Sequence, residues 1–238
     1  MGGSIANPRV PGRRATKSRV DGLLVDSVTL GVPGRVLLRD FALRVGAGSV
    51  LGVVGPSGSG KTQLLRAIAG LRDVDAGSFS LDGQSRDAMH MPSWRRRVTY
   101  VGQRAIMLKG SVRDNLERPL GYAAVAGKLD LPRTEAELSQ LRLDVALLTQ
   151  EARSLSVGEQ QRIALMRAAS IAPDVLLLDE PTSALDAESV EAVETWLGAQ
   201  IKAGRSAVIV SHDAAQIERL AAKRVNLKDF MPEAEHAG

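Results

Sequence analysis

Gly55-Pro56-Ser57-Gly58-Ser59-Gly60-Lys61-Thr62 follows the apolar run Val50–Val54 and precedes Leu64, Leu65, Ile68 and Ala69 at helical spacing, closed by Gly70. A glycine-rich loop between a buried strand and a helix start can turn successive backbone N–H groups inward around an anion. The helix adds the positive end of its dipole at the same point. In the spacing G-x-x-x-x-G-K-[ST], the lysine reaches the β- and γ-phosphates and the last hydroxyl faces Mg²⁺. Lys61 and Thr62 hold those two positions. The segment therefore predicts a nucleoside triphosphate with Mg²⁺, bound on an α/β core.

Outward from this loop, Gly22–Leu30 and Leu37–Val45 read as two strands joined by a turn at Gly31, Pro33 and Gly34. Ser78–Leu81, Val98–Val101, Val175–Leu178 and Ala207–Val210 are further strands. Helix-like stretches flank the last three, which implies parallel strands with crossovers. From Ser111 to Ala169 the pattern is helical. Thr134-Glu135-Ala136-Glu137 has capping-box spacing, with Leu138, Leu141, Leu143, Leu147 and Leu148 behind it. Asp186–Lys202 is another helix, stopped at Gly204. No internal repeat is present.

Val175–Leu178 runs directly into Asp179 and Glu180. An acid at the C-terminal end of a parallel strand, beside the phosphate loop, can hold Mg²⁺, which fits Asp179. Glu180, one residue on, can orient or deprotonate an attacking water. Gln103 follows the strand Val98–Val101 and can contact Mg²⁺ or that water. His212 follows Ala207–Val210, where a neutral imidazole can hydrogen-bond a γ-phosphate. Each of these two residue types is also common at strand ends for purely structural reasons. Leu155-Ser156-Val157-Gly158-Glu159 opens an apolar-periodic helix, with Ser156 and Glu159 at capping-box spacing. A helix start is an anion site as well, and the spacing does not say which anion.

The 238 residues are 44% hydrophobic and 24% charged, enough for a sizeable single core. With no cysteine, thiol catalysis, disulfides and cysteine-ligated metal sites are excluded. The net charge of +4 is confined to the first 20 residues, which carry five basic side chains and no acid. The remainder holds 26 basic against 27 acidic residues, so no nucleic-acid partner is expected. Residues 1–20 read as a solvated basic tail, 21–230 as the folded domain with a helical segment at about 105–170, and 231–238 as a short tail. No apolar run approaches the roughly 18 residues of a membrane helix, so any work at a membrane is expected to go through another chain.

Taken together, the phosphate loop, Gln103, LSVGEQQR at Leu155–Arg162, VLLLDEPTSALD at Val175–Asp186 and Ser211-His212-Asp213 resemble the ATP-binding subunit of an ATP-binding cassette (ABC) transporter. The motifs stand in that family's order over about residues 23–228. The segment Gln103–Leu116 further resembles small stand-alone subunits of the bacterial iron-efflux type. The resemblance implies an α/β fold: a RecA-like core, an antiparallel β subdomain and an inserted helical subdomain. It implies ATP and Mg²⁺ as ligands, with Gly55, Pro56, Ser57, Gly58, Ser59, Gly60, Lys61 and Thr62 around the phosphates. Thr62, Gln103 and Asp179 would lie at the metal. Glu180 is then the catalytic carboxylate, His212 a switch histidine and Gln103 the sensor of a membrane partner.

Ser156 and Gly158 would bind the γ-phosphate held by a second subunit, and Ser183–Asp186 would cross the dimer interface. A homodimer or heterodimer and a separate transmembrane permease are implied, with the protein peripheral on the cytoplasmic face of the membrane. Val157 replaces the family's glycine, and Glu159 its glutamine. The adenine-stacking aromatic expected near Val32 is missing, the first aromatic being Phe41. Weak discrimination between bases is therefore expected. The rival readings are a soluble phosphate-loop kinase or regulatory nucleotide-binding protein and, within the family, an importer subunit for phosphate or amino acids.

Overall fold

A computed structural model describes residues 22–122, 125, 127–221 and 223–232. The basic segment 1–20 and residues 233–238 of the C-terminal segment lie outside the described residues.

β1 (Leu23–Val32) and β2 (Arg35–Val45) form a hairpin about Pro33 and Gly34. β4 (Ala76–Leu81) and β5 (Gln84–Ser85) extend it into an antiparallel sheet of order β2-β1-β4-β5. The inward phase of β1 changes from Leu23 and Val25 to Val28 and Leu30. A register shift after Val25 causes this, with Ser27 at φ 51°. Asp40, at φ 50°, marks the matching change in β2, from Leu38 to Phe41 and Leu43. An extra residue at each point flips the side chains to the other face, so both strands keep their apolar residues inward.

The second sheet is parallel, in the order β6-β7-β8-β3-β9. Its strands are β6 (Val98–Val101), β7 (Val175–Asp179), β8 (Ser206–Val210), β3 (Val50–Val54) and β9 (Lys223–Asn226). Both faces of its central strands are covered. Val175, Leu177, Val208 and Val210 enter the core shared with the antiparallel sheet and α1 (Lys61–Ile68). Leu176, Leu178, Ala207 and Ile209 enter a second core, with α5 (Val157–Ser170) and α6 (Ala187–Lys202). Burial on both faces explains why these strands read as continuous apolar runs rather than alternations. In β3, a Cβ on Gly52 would stand 2.5 Å from Ile217 Cγ2, so glycine lets α7 (Ala214–Leu220) lie directly on the sheet.

α2 (Met91–Arg97) leads into β6. Between β6 and β7 the chain forms α3 (Val112–Glu117), α4 (Leu131–Gln140) and α5. One local expectation fails. Thr134 does not begin a helix: α4 starts earlier, capped by Asp130, whose carboxylate accepts from the Arg133 N–H at 3.2 Å. Asp130 followed by Pro132 in the first turn is the stronger start signal. Thr134, inside the helix, donates its hydroxyl back to the Asp130 carbonyl at 2.7 Å. The helix also ends before Leu147 and Leu148, which lie on a separate 3₁₀ turn capped by Asp144. Arg142, at φ 55°, breaks the path between them.

Candidate nucleotide-binding and hydrolysis site

The loop after β3 is built for close approach of an anion. Gly58 and Gly60 adopt φ 75° and 95°, conformations that cost little only without a Cβ. A Cβ on Gly58 would meet nothing within 4 Å, so the space above it is open. Under the loop, Leu37 of β2 fills the floor, 3.2 Å from where a Gly60 Cβ would stand. Lys61 is buried, and its Nζ donates to the carbonyls of Gly55 at 2.8 Å and Pro56 at 2.9 Å. Burial pushes this ammonium below the usual lysine value, and the negative charges of Glu180 and Asp179 oppose that shift. Ser59 Oγ is buried without a hydrogen-bond partner among the described residues, although a buried hydroxyl ordinarily finds one.

Asp179 ends β7 and is almost fully buried, at 2% exposure. Its Oδ2 accepts a 2.9 Å hydrogen bond from the Tyr100 hydroxyl on β6. Burial first, then the charge of Asp179, holds that hydroxyl in its protonated form by raising its pKa. Glu180 has φ 50°, a left-handed conformation that is strained for a residue with a side chain. It is fixed there by its own N–H donating to the Val210 carbonyl at 2.9 Å. Glu180 Oε2 accepts from the backbone N–H of His212 at 3.3 Å. His212 Nε2 lies 3.1 Å from Glu180 Oε1, yet that oxygen gains no aligned hydrogen bond and is buried. A carboxylate oxygen left in this condition is primed to accept one from a water molecule.

These groups converge. Ser57, Gly58, Gly60, Lys61, Thr62, Gln103, Asp179, Glu180 and His212 line one cleft of about 470 Å³. Val32, Arg35 and Leu37 line it as well. Asp179 does not stand on the strand next to the phosphate loop, as its motif suggests, because β8 lies between β7 and β3. It reaches the cleft because every parallel strand ends at the same edge. Ser156 and Gly158 are not in this cleft. Ser156 is exposed and caps α5, in a reciprocal pair with Glu159. Its backbone N–H donates to Glu159 Oε2 at 2.9 Å, and its Oγ accepts from the Glu159 N–H at 3.3 Å. A Cβ on Gly158 would touch Leu185 Cδ2 at 3.2 Å, so the Ser183–Asp186 turn packs against this helix start.

Three contributors were not singled out from the sequence. Tyr100 is one, and its signal was its place three residues before Gln103 on a strand that pairs with β7. Arg72 is another: Nη1 donates to Gln63 Oε1 at 2.6 Å and Nη2 to the Gly31 carbonyl, tying α1 to the β1–β2 hairpin. Arg35 is the third.

A parallel sheet with a phosphate loop after one strand and paired carboxylates after another defines a phosphate-loop NTPase. Comparison places it more narrowly. The ABC transporter family profile matches residues 38–183, and the chain belongs to that family as an ATP-binding domain. Protein STAR1 of Oryza sativa subsp. japonica is 41% identical over 86% of this chain, which spans 58% of the rice protein. Phosphate import ATP-binding protein PstB 2 of Natronomonas pharaonis is 34% identical over 87% of this chain and 77% of its own length. The solved structure of an ATP-binding subunit of an ABC transporter superposes with a TM-score of 0.78, over 86% of this chain and 85% of that one, at 22% identity. The fold and family expected from the motifs are thereby borne out, and with them ATP binding and the class of ATPase.

Proposed function

We propose that this chain hydrolyses ATP as one subunit of a dimer and powers transport of a solute or metal ion through a separate transmembrane subunit. The observation that carries the ATPase part is the single cleft joining Lys61, Thr62, Gln103, Asp179, Glu180 and His212. Lys61 faces the β- and γ-phosphates, and the N–H groups of the loop carry the rest of their charge. Thr62, exposed at the cleft, and Asp179 would hold Mg²⁺, with Gln103 beside them. When bound, that ion neutralises phosphate charge. Ser59 Oγ, without a partner, and the open space over Gly58 fit a phosphate oxygen at the loop. Glu180 orients the attacking water through its unpartnered Oε1 while the His212 backbone N–H holds its other oxygen, which leaves the His212 imidazole to meet the γ-phosphate.

Two observations support the membrane part. Among the described residues, no helix is long and apolar enough to cross a membrane. Beside Gln103, a second cleft of about 310 Å³ is lined by Val101, Ala105, Ile106, Ala164 and Ile171, with Ile106 74% exposed. This cleft supports the reading that a helix end of a transmembrane subunit docks beside Gln103, with the protein peripheral on the cytoplasmic face of the membrane. The name of the PstB 2 relative supports the importer direction, and the membrane subunit selects the cargo.

The test of the ATP site is Lys61→Ala. Calorimetry with Mg²⁺ and ATP should show affinity reduced by at least roughly tenfold and turnover lost, since a phosphate-directed charge is removed. Unchanged affinity and turnover in a folded variant would overturn the assignment of the loop.

A further inference from the structure

We infer that Arg35 holds the base of the bound nucleotide by laying its guanidinium plane against the ring. The inference rests on the reading of the 470 Å³ cleft as the nucleotide site, and it names the side chain that completes it. Two parts of the fold line that cleft. Asp179, Glu180, Gln103 and His212 end or follow strands of the parallel sheet; Val32, Arg35 and Leu37 belong to the β1–β2 hairpin, to which Arg72 ties Gln63. A nucleotide whose phosphates sit on Lys61 must keep its terminal phosphate toward the groups that handle metal and water. Its sugar and base then leave toward Val32 and Arg35.

No aromatic ring waits there. The chain has seven aromatic residues, and each is accounted for elsewhere. Phe41, Phe79, Trp94 and Trp196 are buried, and Phe230 packs edge-on against Phe41 with centroids 4.9 Å apart. Tyr100 is committed to Asp179, and Tyr122 lies in the helical segment. Two flat polar groups remain at this end of the cleft, the Gln63 amide and the Arg35 guanidinium. Arg72 already engages Gln63 Oε1 at 2.6 Å. Arg35 is exposed and makes no hydrogen bond or ion pair through its side chain among the described residues.

The hairpin also aims it. Val32 and Arg35 are paired directly across the turn, so their side chains share one face of the ribbon. Arg72 ties this end of the ribbon to α1 through the Gly31 carbonyl and Gln63, which fixes its distance from the phosphate loop. Val32 then offers an aliphatic edge and Arg35 a delocalised cation. A guanidinium stacks on flat π systems and, unlike an ammonium, keeps its charge spread over a plane. Such stacking does not distinguish adenine from guanine, since every base has a π-face.

The experiment compares wild type, Arg35→Ala and Arg35→Lys for binding of ATP, GTP and inorganic triphosphate, each with Mg²⁺. Arg35→Ala should weaken ATP and GTP by roughly tenfold, the scale of one lost stacking contact. Inorganic triphosphate, which has no base, should bind within about twofold of wild type. Arg35→Lys, which keeps charge but not the plane, should lose most of the same affinity. Val32→Tyr added to Arg35→Ala should recover it by supplying a ring. Equal losses for ATP and triphosphate would make Arg35 a phosphate-directed charge and overturn the inference. Unchanged ATP affinity would overturn it too, placing the base elsewhere. Neither result touches the nucleotide reading, which would fall instead if wild type bound neither ATP nor triphosphate.

Discussion

Two helix starts in this protein, at Gly60–Lys61 and at Ser156–Val157, are both anion sites by backbone geometry, and the fold treats them oppositely. The first is sunk in a cleft, with a buried lysine inside the loop and two carboxylates, a glutamine and a histidine brought to it by three other strands. The second stands at the surface with Val157 67% exposed, and its polar groups are satisfied locally by Glu159. Glu159 already occupies the positive end of the α5 dipole. Alone, then, the Ser156 turn is a poor anion site, and its hydroxyl must turn from Glu159 Oε2, 2.7 Å away, before it can reach a phosphate. One region is finished within a single chain. The other, in the proposed dimer, would gain a use when a second chain presents a phosphate to it.

The sharpest way to break this contrast is inside the finished region. Glu180→Gln should cut ATP turnover by roughly 10²–10⁴-fold, the range for a lost general base, while ATP binding persists. Retained turnover would move the water-orienting role to another group. A smaller effect is expected at the base end. Stacking without base-specific hydrogen bonds predicts that GTP supports hydrolysis within roughly tenfold of ATP. Parallel steady-state assays check this, and a strong ATP preference would require an adenine-specific contact.

The smallest effect belongs to the second region. The Ser156 hydroxyl, and then its backbone N–H, hold the Glu159 carboxyl below the usual carboxylate range. A depressed folded-state value stabilises the fold above the unfolded value of about 4.3, and that contribution is lost as pH falls through the folded value. Glu159→Gln should therefore lower stability by about 0.3–1 kcal/mol at neutral pH, toward the low end because water screens the site. The difference from wild type should vanish in acid. Denaturant melts at neutral and acidic pH measure it, and a constant difference would mean packing rather than charge.

The two regions were also unequally legible. The phosphate loop announces itself through its glycines and lysine, and the apolar runs of β6, β7 and β8 fall where the sequence placed them. Capping at Ser156 and the helix start at Asp186 are local chemistry and could be read directly. Strand order could not, because it depends on crossovers that no local pattern encodes. Placing β8 between β7 and β3, and Tyr100 against Asp179, therefore needed the three-dimensional structure. Thr134 misled because a capping-box spacing four residues inside a helix looks like a start until Asp130 and Pro132 are weighed against it. Arg35 was hidden for another reason: an exposed arginine beside a turn has no pattern until the cleft around it is known.

Complementation tests the contrast itself. Lys61→Ala disables the finished region, and Ser156→Arg blocks the unfinished one with bulk and charge. In a mixed dimer, one composite site carries both defects, and the other joins an intact Lys61 from one chain to an intact Ser156 from its partner. Mixing the two inactive variants should restore ATPase activity, up to about half of wild type per mixed dimer if the sites act independently, together with ATP binding at the intact site. Mixed dimers that demonstrably form, yet recover neither binding nor hydrolysis, would contradict a site shared between two chains.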